Sequence, residues 1–200
     1  MTLKLSKGQA IGLDKPGGGT LTVIRIGLGW RTAWRRSMLS RRQKINLDAS
    51  AVLFAGSQPI DVVFFLHRVS DDGSVRHIDD YPVGNTDRGG EGKTLLIDLA
   101  RIPTHIDQIV FTVNSCSDQT IPAAQTEFCC LVDETNGQEL ARYTVSGGGR
   151  HTARVMAKLQ RFRTGWQMTA IGAPANGCNF TDLMPTILPH LYPRGVSKPR

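Results

Sequence analysis

A chain of 200 residues, 40% hydrophobic and 20% charged, can bury a real core and fits one domain of ordinary to large size. No apolar run approaches the ~20 residues of a membrane-spanning helix, and residues 1–8 lack the apolar centre of a signal peptide, so a soluble protein of a bacterial-type cytosol is expected. The net charge is +7, with 17 arginines against 7 lysines, which points toward acidic partners.

Taken in chain order, β-branched and partly alternating runs predict strands over 20–26, 49–55, 60–67, 94–99, 108–114, 127–133, 138–145, 152–162 and 165–172. Turn chemistry separates them: Pro16-Gly17-Gly18-Gly19, Asp72-Gly73, Asn136-Gly137 and Gly147-Gly148-Gly149. Asn136-Gly137 between two strand-like runs is the strongest hairpin signal. Many short strands with little helical periodicity predict an all-β sandwich or barrel. No internal repeat or boundary is visible before about residue 180, so residues 1–180 are expected to form one domain. Residues 181–200 then read as a short helix, capped by Asn179 or Thr181 and cut short by Pro185, Pro189 and Pro193, followed by a basic tail or linker.

The four cysteines, Cys116, Cys129, Cys130 and Cys178, form no C-x-x-C pair and are expected to be reduced. Cys129 and Cys130 should point to opposite faces of a strand, Cys129 packing inward and Cys130 lying at the surface.

Specific words then occur in a fixed order. Gly27-Leu28-Gly29-Trp30 is followed by Asn46-Leu47-Asp48-Ala49-Ser50-Ala51 and by Asp71-Asp72-Gly73-Ser74-Val75-Arg76-His77. Later come Ile97-Asp98-Leu99, Glu139-Leu140-Ala141-Arg142-Tyr143 and Gly165-Trp166-Gln167-Met168-Thr169-Ala170-Ile171-Gly172. Together these make the chain resemble the TerD-type tellurite-resistance and stress-response family over about residues 3–172. The resemblance implies a two-sheet β-sandwich that binds calcium through acidic loops at one end.

Against the family text, that calcium site is depleted. The first aspartate of the family's DLDASA is Asn46 here, while Asp48 is kept. Its GDN becomes Asp79-Asp80-Tyr81, keeping one acid as Asp80 and adding Asp79. Its GDDE falls on Gly90-Glu91-Gly92-Lys93, leaving Glu91 as the acid, and two extra residues between Gly84 and Asp98 shift the register. The candidate metal set is therefore Asn46, Asp48, Asp79, Asp80 and Glu91. Ca²⁺ wants about six to eight oxygens, several of them carboxylates.

Residues 31–44 carry Arg31, Arg35, Arg36, Arg41, Arg42 and Lys44 and no acid. Each cation within reach disfavours a dication by about 1 to 4 kcal/mol at ~4 Å, depending on screening. Calcium binding is thus expected to be weak or absent, with arginines neutralising Asp48 and Asp80 where the ion would stand. The same segment reads as a solvated loop, or as an anion- and partner-binding patch for an acidic partner, a nucleic acid or an anionic surface.

Other signals are weaker. Gly89-Gly90-Glu91-Gly92-Lys93-Thr94 imitates a phosphate-binding loop, but Asp87 stands where the Walker pattern needs glycine and a strand follows. His67, His77, His105, His151 and His190 show no zinc spacing, although His67 and His77 could converge across a hairpin. No G-x-S-x-G or Cys-His arrangement marks an enzyme. The reading is a non-enzymatic stress-response binding or scaffold module, with other proteins of the same stress system among its partners. The alternatives are a calcium sensor or buffer and a basic module for nucleic acid or another anionic partner.

Overall fold

The computed structural model describes residues 2–15, 18–31, 47–78, 91–115, 126–146 and 149–191, without the side chains of Arg31, Glu91, Thr126 and Ser146. Twelve strands appear in it: β1 (Leu3–Leu5), β2 (Ala10–Gly12), β3 (Val23–Arg31), β4 (Leu47–Ala55), β5 (Gln58–Val63), β6 (Val75–Ile78), β7 (Glu91–Asp98), β8 (Gln108–Ser115), β9 (Thr126–Asp133), β10 (Gln138–Ser146), β11 (Ala153–Phe162) and β12 (Gly165–Ala175). They form two six-stranded sheets, ordered β1-β10-β9-β3-β7-β6 and β2-β12-β11-β8-β4-β5. The predicted all-β sandwich is therefore observed.

The pleat explains the core. Ile24, Ile26 and Leu28 alternate along β3, as do Leu95 and Ile97 on β7 and Cys129 and Leu131 on β9, and all join one buried cluster. Ala49, Ala51 and Leu53 of β4 and Ile109, Phe111 and Val113 of β8 belong to the same cluster and bring the second sheet into it. The other faces of β4 and β8 are not left to water. Val52, Phe54 and Val110 are also fully buried, in a second cluster with Val155, Ile171, Leu183 and Ile187. This double burial is why both strands read as nearly continuous apolar runs.

Leu183 and Ile187 come from helix α1 (Phe180–Ile187), which lies on the outer face of the second sheet. Asn179 caps it, accepting from the Asp182 amide at 3.1 Å, and the Asp182 carboxylate reaches back to the Asn179 amide at 3.4 Å. The helix runs through Pro185 rather than stopping before it. Each buried Leu or Ile adds about 1.5–3 kcal/mol, enough to offset the lost helical hydrogen bond. The basic stretch 192–200 lies outside the described residues.

Three short strands were not predicted: β1, β2 and β6, each of three or four residues. All three are sheet edges, where a strand needs only one partner. The β3 strand begins later than predicted and runs through Gly27-Leu28-Gly29-Trp30. Gly29 is dictated by packing, since a Cβ there would lie 2.1 Å from Cζ of Phe128 across the sheet. The Asn136-Gly137 hairpin is observed: Gly137 has φ +71°, and its amide donates to the Asp133 carbonyl at 2.8 Å.

Candidate functional site

One end of the sandwich gathers the strand ends that flank residues 32–46, 79–90, 116–125 and 147–148. In the first sheet Arg31 pairs with Thr126, Trp30 with Glu91 and with Glu127, and Ser146 with Thr126. In the second, Leu47 pairs with Ser115, Asp48 with Asn114, and Ala153 with Asn114 and Ala175. Trp30 and Leu47 pack together from opposite sheets and bring the two rows of strand ends into one surface.

Of the candidate metal set, Asp48 is described in full. Its carboxylate is 15% exposed, and Oδ1 lies 3.5 Å from Nε2 of His77, whose side chain is wholly buried. Among the described residues, then, the side chain facing Asp48 is a histidine from β6. Glu91 opens β7 in register with Trp30, at the same end, with its side chain outside the description. Asn46, Asp79 and Asp80 lie outside the described residues, as do Arg35, Arg36, Arg41, Arg42 and Lys44; Arg31 is placed by its backbone at the end of β3.

Beneath this surface lies an ionic cluster that the sequence reading missed. Arg154 of β11 donates from Nε to Glu127 Oε2 of β9 at 2.6 Å and from a terminal nitrogen to the Gly172 carbonyl at 3.1 Å. Its other terminal nitrogen lies 2.8 Å from Nε2 of His151. The Glu127, His151 and Arg154 side chains are each at most 8% exposed. A guanidinium only donates, so His151 Nε2 must accept, which fixes the neutral tautomer with its proton on Nδ1. Burial pushes the His151 pKa down, and the Arg154 charge pushes it the same way. Burial pushes Glu127 up, partly opposed by Arg154. One signal was available in the sequence: Glu127 and Arg154 are charges inside strand-forming runs. Their meeting across two sheets was not.

The remaining chemistry is subdued. Cys129 and Cys130 face opposite sides of β9, as predicted, but Cys130 is buried with Phe128 and Val132 instead of lying at the surface. The Arg142 guanidinium, 4.6 Å from the centre of the Phe128 ring, helps cover that face. Burial, reinforced by Glu139, pushes the Cys130 thiol up to about 11, which leaves almost no thiolate at neutral pH. Lys93 and Thr94 sit within β7, so the glycine-rich segment leads into a strand and the phosphate-loop geometry does not form. His67 and His77 do not converge: His77 faces Asp48, and His67 faces Asp61 and Asp71. A shallow cavity of about 250 Å³ lies elsewhere, bordered by Lys7, Lys158, Thr169 and His190. Lys158 Nζ there donates to the His190 carbonyl at 2.5 Å. No helix among the described residues is long and apolar enough to cross a membrane.

Comparison with known proteins agrees with this architecture. The TerD domain family model matches residues 1–184. The chain is 32% identical over 186 residues to "Tellurium resistance protein TerZ" of Serratia marcescens, covering 90% of this chain and 94% of the relative. It is 29% identical over 199 residues to "Stress response protein SCP2" of Bacillus subtilis (strain 168), covering 92% and 98% respectively. A crystal structure of a homologue of telluride resistance protein (TerD) from Streptomyces coelicolor A3(2) superposes with a TM-score of 0.57 at 18% identity, covering 82% of this chain and 95% of that one, and so shares the fold. With one domain model spanning nearly its whole length and relatives matched end to end, the chain belongs to the TerD family.

Proposed function

We propose that this protein is a non-enzymatic binding module of a tellurite-resistance and stress-response system, engaging its partners through the loop end with a depleted calcium site. The observation that carries the reading is convergence: the ends of β3, β4, β7 and β9 meet there, joined by Trp30 against Leu47. Asp48 and the strand positions of Arg31 and Glu91 therefore share one surface. The relatives' names, a tellurium resistance protein and a stress response protein, support the cellular role.

The metal reading follows from charge. Asp48 already faces His77, the sequence has an uncharged Asn46 where the family has an aspartate, and residues 31–44 carry six cations in sequence. A calcium ion would need several carboxylates at this end. The test is thermal unfolding in millimolar calcium and then in excess chelator. A ligand at a hundred times its dissociation constant adds about 2.7 kcal/mol, or roughly 5–10 °C for a chain of this size. We expect no shift of that size. A chelator-reversible shift would instead make the protein a calcium-responsive module. Partner binding through the basic segment predicts affinity that falls steeply with salt and is lost when Arg35, Arg36, Arg41 and Arg42 are neutralised.

A further inference from the structure

The chain passes from one sheet to the other along a side edge of the sandwich. Strand β5 is an edge strand of the second sheet, β6 an edge strand of the first, and residues 64–74 connect them. On this crossover Asp61, His67 and Asp71 bring one nitrogen and two carboxylate oxygens within 4.8 Å of one another. The Nε2 atom of His67 is shielded from solvent and has no hydrogen-bond partner. It lies 3.3 Å from Asp61 Oδ1 and 3.9 Å from Asp71 Oδ1.

Those separations discriminate between two arrangements. An imidazolium held by a carboxylate makes a short, aligned bond of about 2.7–2.9 Å. Here both contacts are longer, and neither is a hydrogen bond. Ligands about 2.0–2.1 Å from a common ion in tetrahedral array sit roughly 3.3–3.5 Å apart, which matches the His67–Asp61 separation; the exposed Asp71 carboxylate lies farther out and turns inward to complete the set. We infer that Asp61, His67 and Asp71 form a site for a divalent transition-metal ion of the zinc class, with a fourth position left for water.

The surroundings suit such a site. Asp61 is oriented by two amides: its Oδ1 accepts from Val62 at 2.7 Å and its Oδ2 from Asp71 at 2.9 Å. The second of these also ties the Asp71 backbone to Asp61. His67 is held through its backbone by paired bonds with Phe64, at 2.9 and 3.1 Å. The Asp71 side chain is 90% exposed, so it can swing outward to admit an ion and close on it. An imidazole nitrogen with two carboxylates is a borderline donor set, matched to zinc-like ions; calcium takes oxygens only and more of them. The site lies on the side edge, uses none of the residues of the candidate set at the loop end, and does not depend on the function proposed above. Its ligands are spaced six and four residues apart on an irregular crossover, which is why neither helical nor strand periodicity reveals them.

The test titrates the full chain with Zn²⁺ by calorimetry and with Co²⁺ by visible absorption, with Ca²⁺ as control. One equivalent should bind, with the intense visible bands of low-coordinate cobalt. His67→Ala and Asp71→Asn should each weaken binding by at least about tenfold, while Cys178→Ser leaves it unchanged. Asp71→Asn alters an exposed side chain and guards against a folding defect in the histidine variant. The inference is overturned if both variants bind zinc as tightly as the parent, if the cobalt complex lacks those bands, or if Cys178→Ser abolishes binding.

Discussion

Arg154 Nε and Glu127 Oε2 lie 2.6 Å apart in the interior of the sandwich, one on each sheet, directly beneath the loop end. The pair holds the sheets at a set spacing where the surface residues must converge. Glu127 is the cross-strand neighbour of Trp30, which itself packs on Leu47 beside Asp48, so the cluster and the candidate site share a foundation.

Removing one member of this pair leaves the other charge buried and uncompensated. Arg154→Met should cost about 3–5 kcal/mol. Replacing both, as Glu127→Gln with Arg154→Met, should cost clearly less than the sum of the single changes. Urea denaturation of the four proteins gives the coupling; strict additivity would show that the pair does not act as a unit.

Acid should weaken the fold in a histidine-dependent way. The folded state holds the His151 pKa below its ordinary value of 6.5, through burial and then Arg154. His190 is held down as well, by burial and then by Lys158 and Lys7. For a base whose folded pKa is depressed, the unfolded chain binds the extra proton first. Stability is therefore complete above about pH 6.5 and is lost as the pH falls through that value toward the folded pKa. Glu127 runs the other way: its folded pKa is raised, so its contribution is complete below 4.5 and is lost as the pH climbs from there to the folded value. Between pH 7.5 and 6 the histidines should dominate, and the melting temperature should fall on acidification. His151→Gln, which can still accept from Arg154, should flatten that slope; an unchanged slope would remove His151 from the account.

The glycine in Gly27-Leu28-Gly29-Trp30 has a packing role that mutation can expose. Gly29→Ala places a methyl group 2.1 Å from the Phe128 ring and should destabilise by about 1–3 kcal/mol. Shortening the ring with Phe128→Leu should recover part of that loss in the double variant. Thermal unfolding measures both, and a harmless Gly29→Ala would mean that the ring moves aside at little cost.

Thiol reactivity should follow burial. Cys178 is exposed and should react with a thiol reagent in the native protein, whereas Cys129 and Cys130 should react only after unfolding. Peptide mapping after brief native labelling reads each site separately. Modification of Cys130 at the rate of Cys178 would contradict its burial and its raised pKa.

The legible part of this protein was the part carried by local chemistry. Short apolar, strand-forming runs at residues 108–114 and 127–133 announced β8 and β9, and Asn136-Gly137 announced the turn after β9, because strand propensity and turn geometry act locally. Ordered motifs such as Gly27-Leu28-Gly29-Trp30 and the Asp48 segment identified the family for the same reason: they can be read without knowing what they touch.

Tertiary structure alone decided which residues meet. Glu127 and Arg154 are 27 positions apart and pair only because β9 and β11 face each other across the core. His77 reaches Asp48 because two edge regions close on one another. Asp61, His67 and Asp71 gather on a crossover whose path is set by the sheets it joins. Helix α1 survives its proline because the outer face of β4, β8 and β11 needs a cover. Local patterns specify which way a side chain points, but register and sheet packing are long-range, so the contacts that could give this protein its chemistry are written in the fold rather than in any one stretch of sequence.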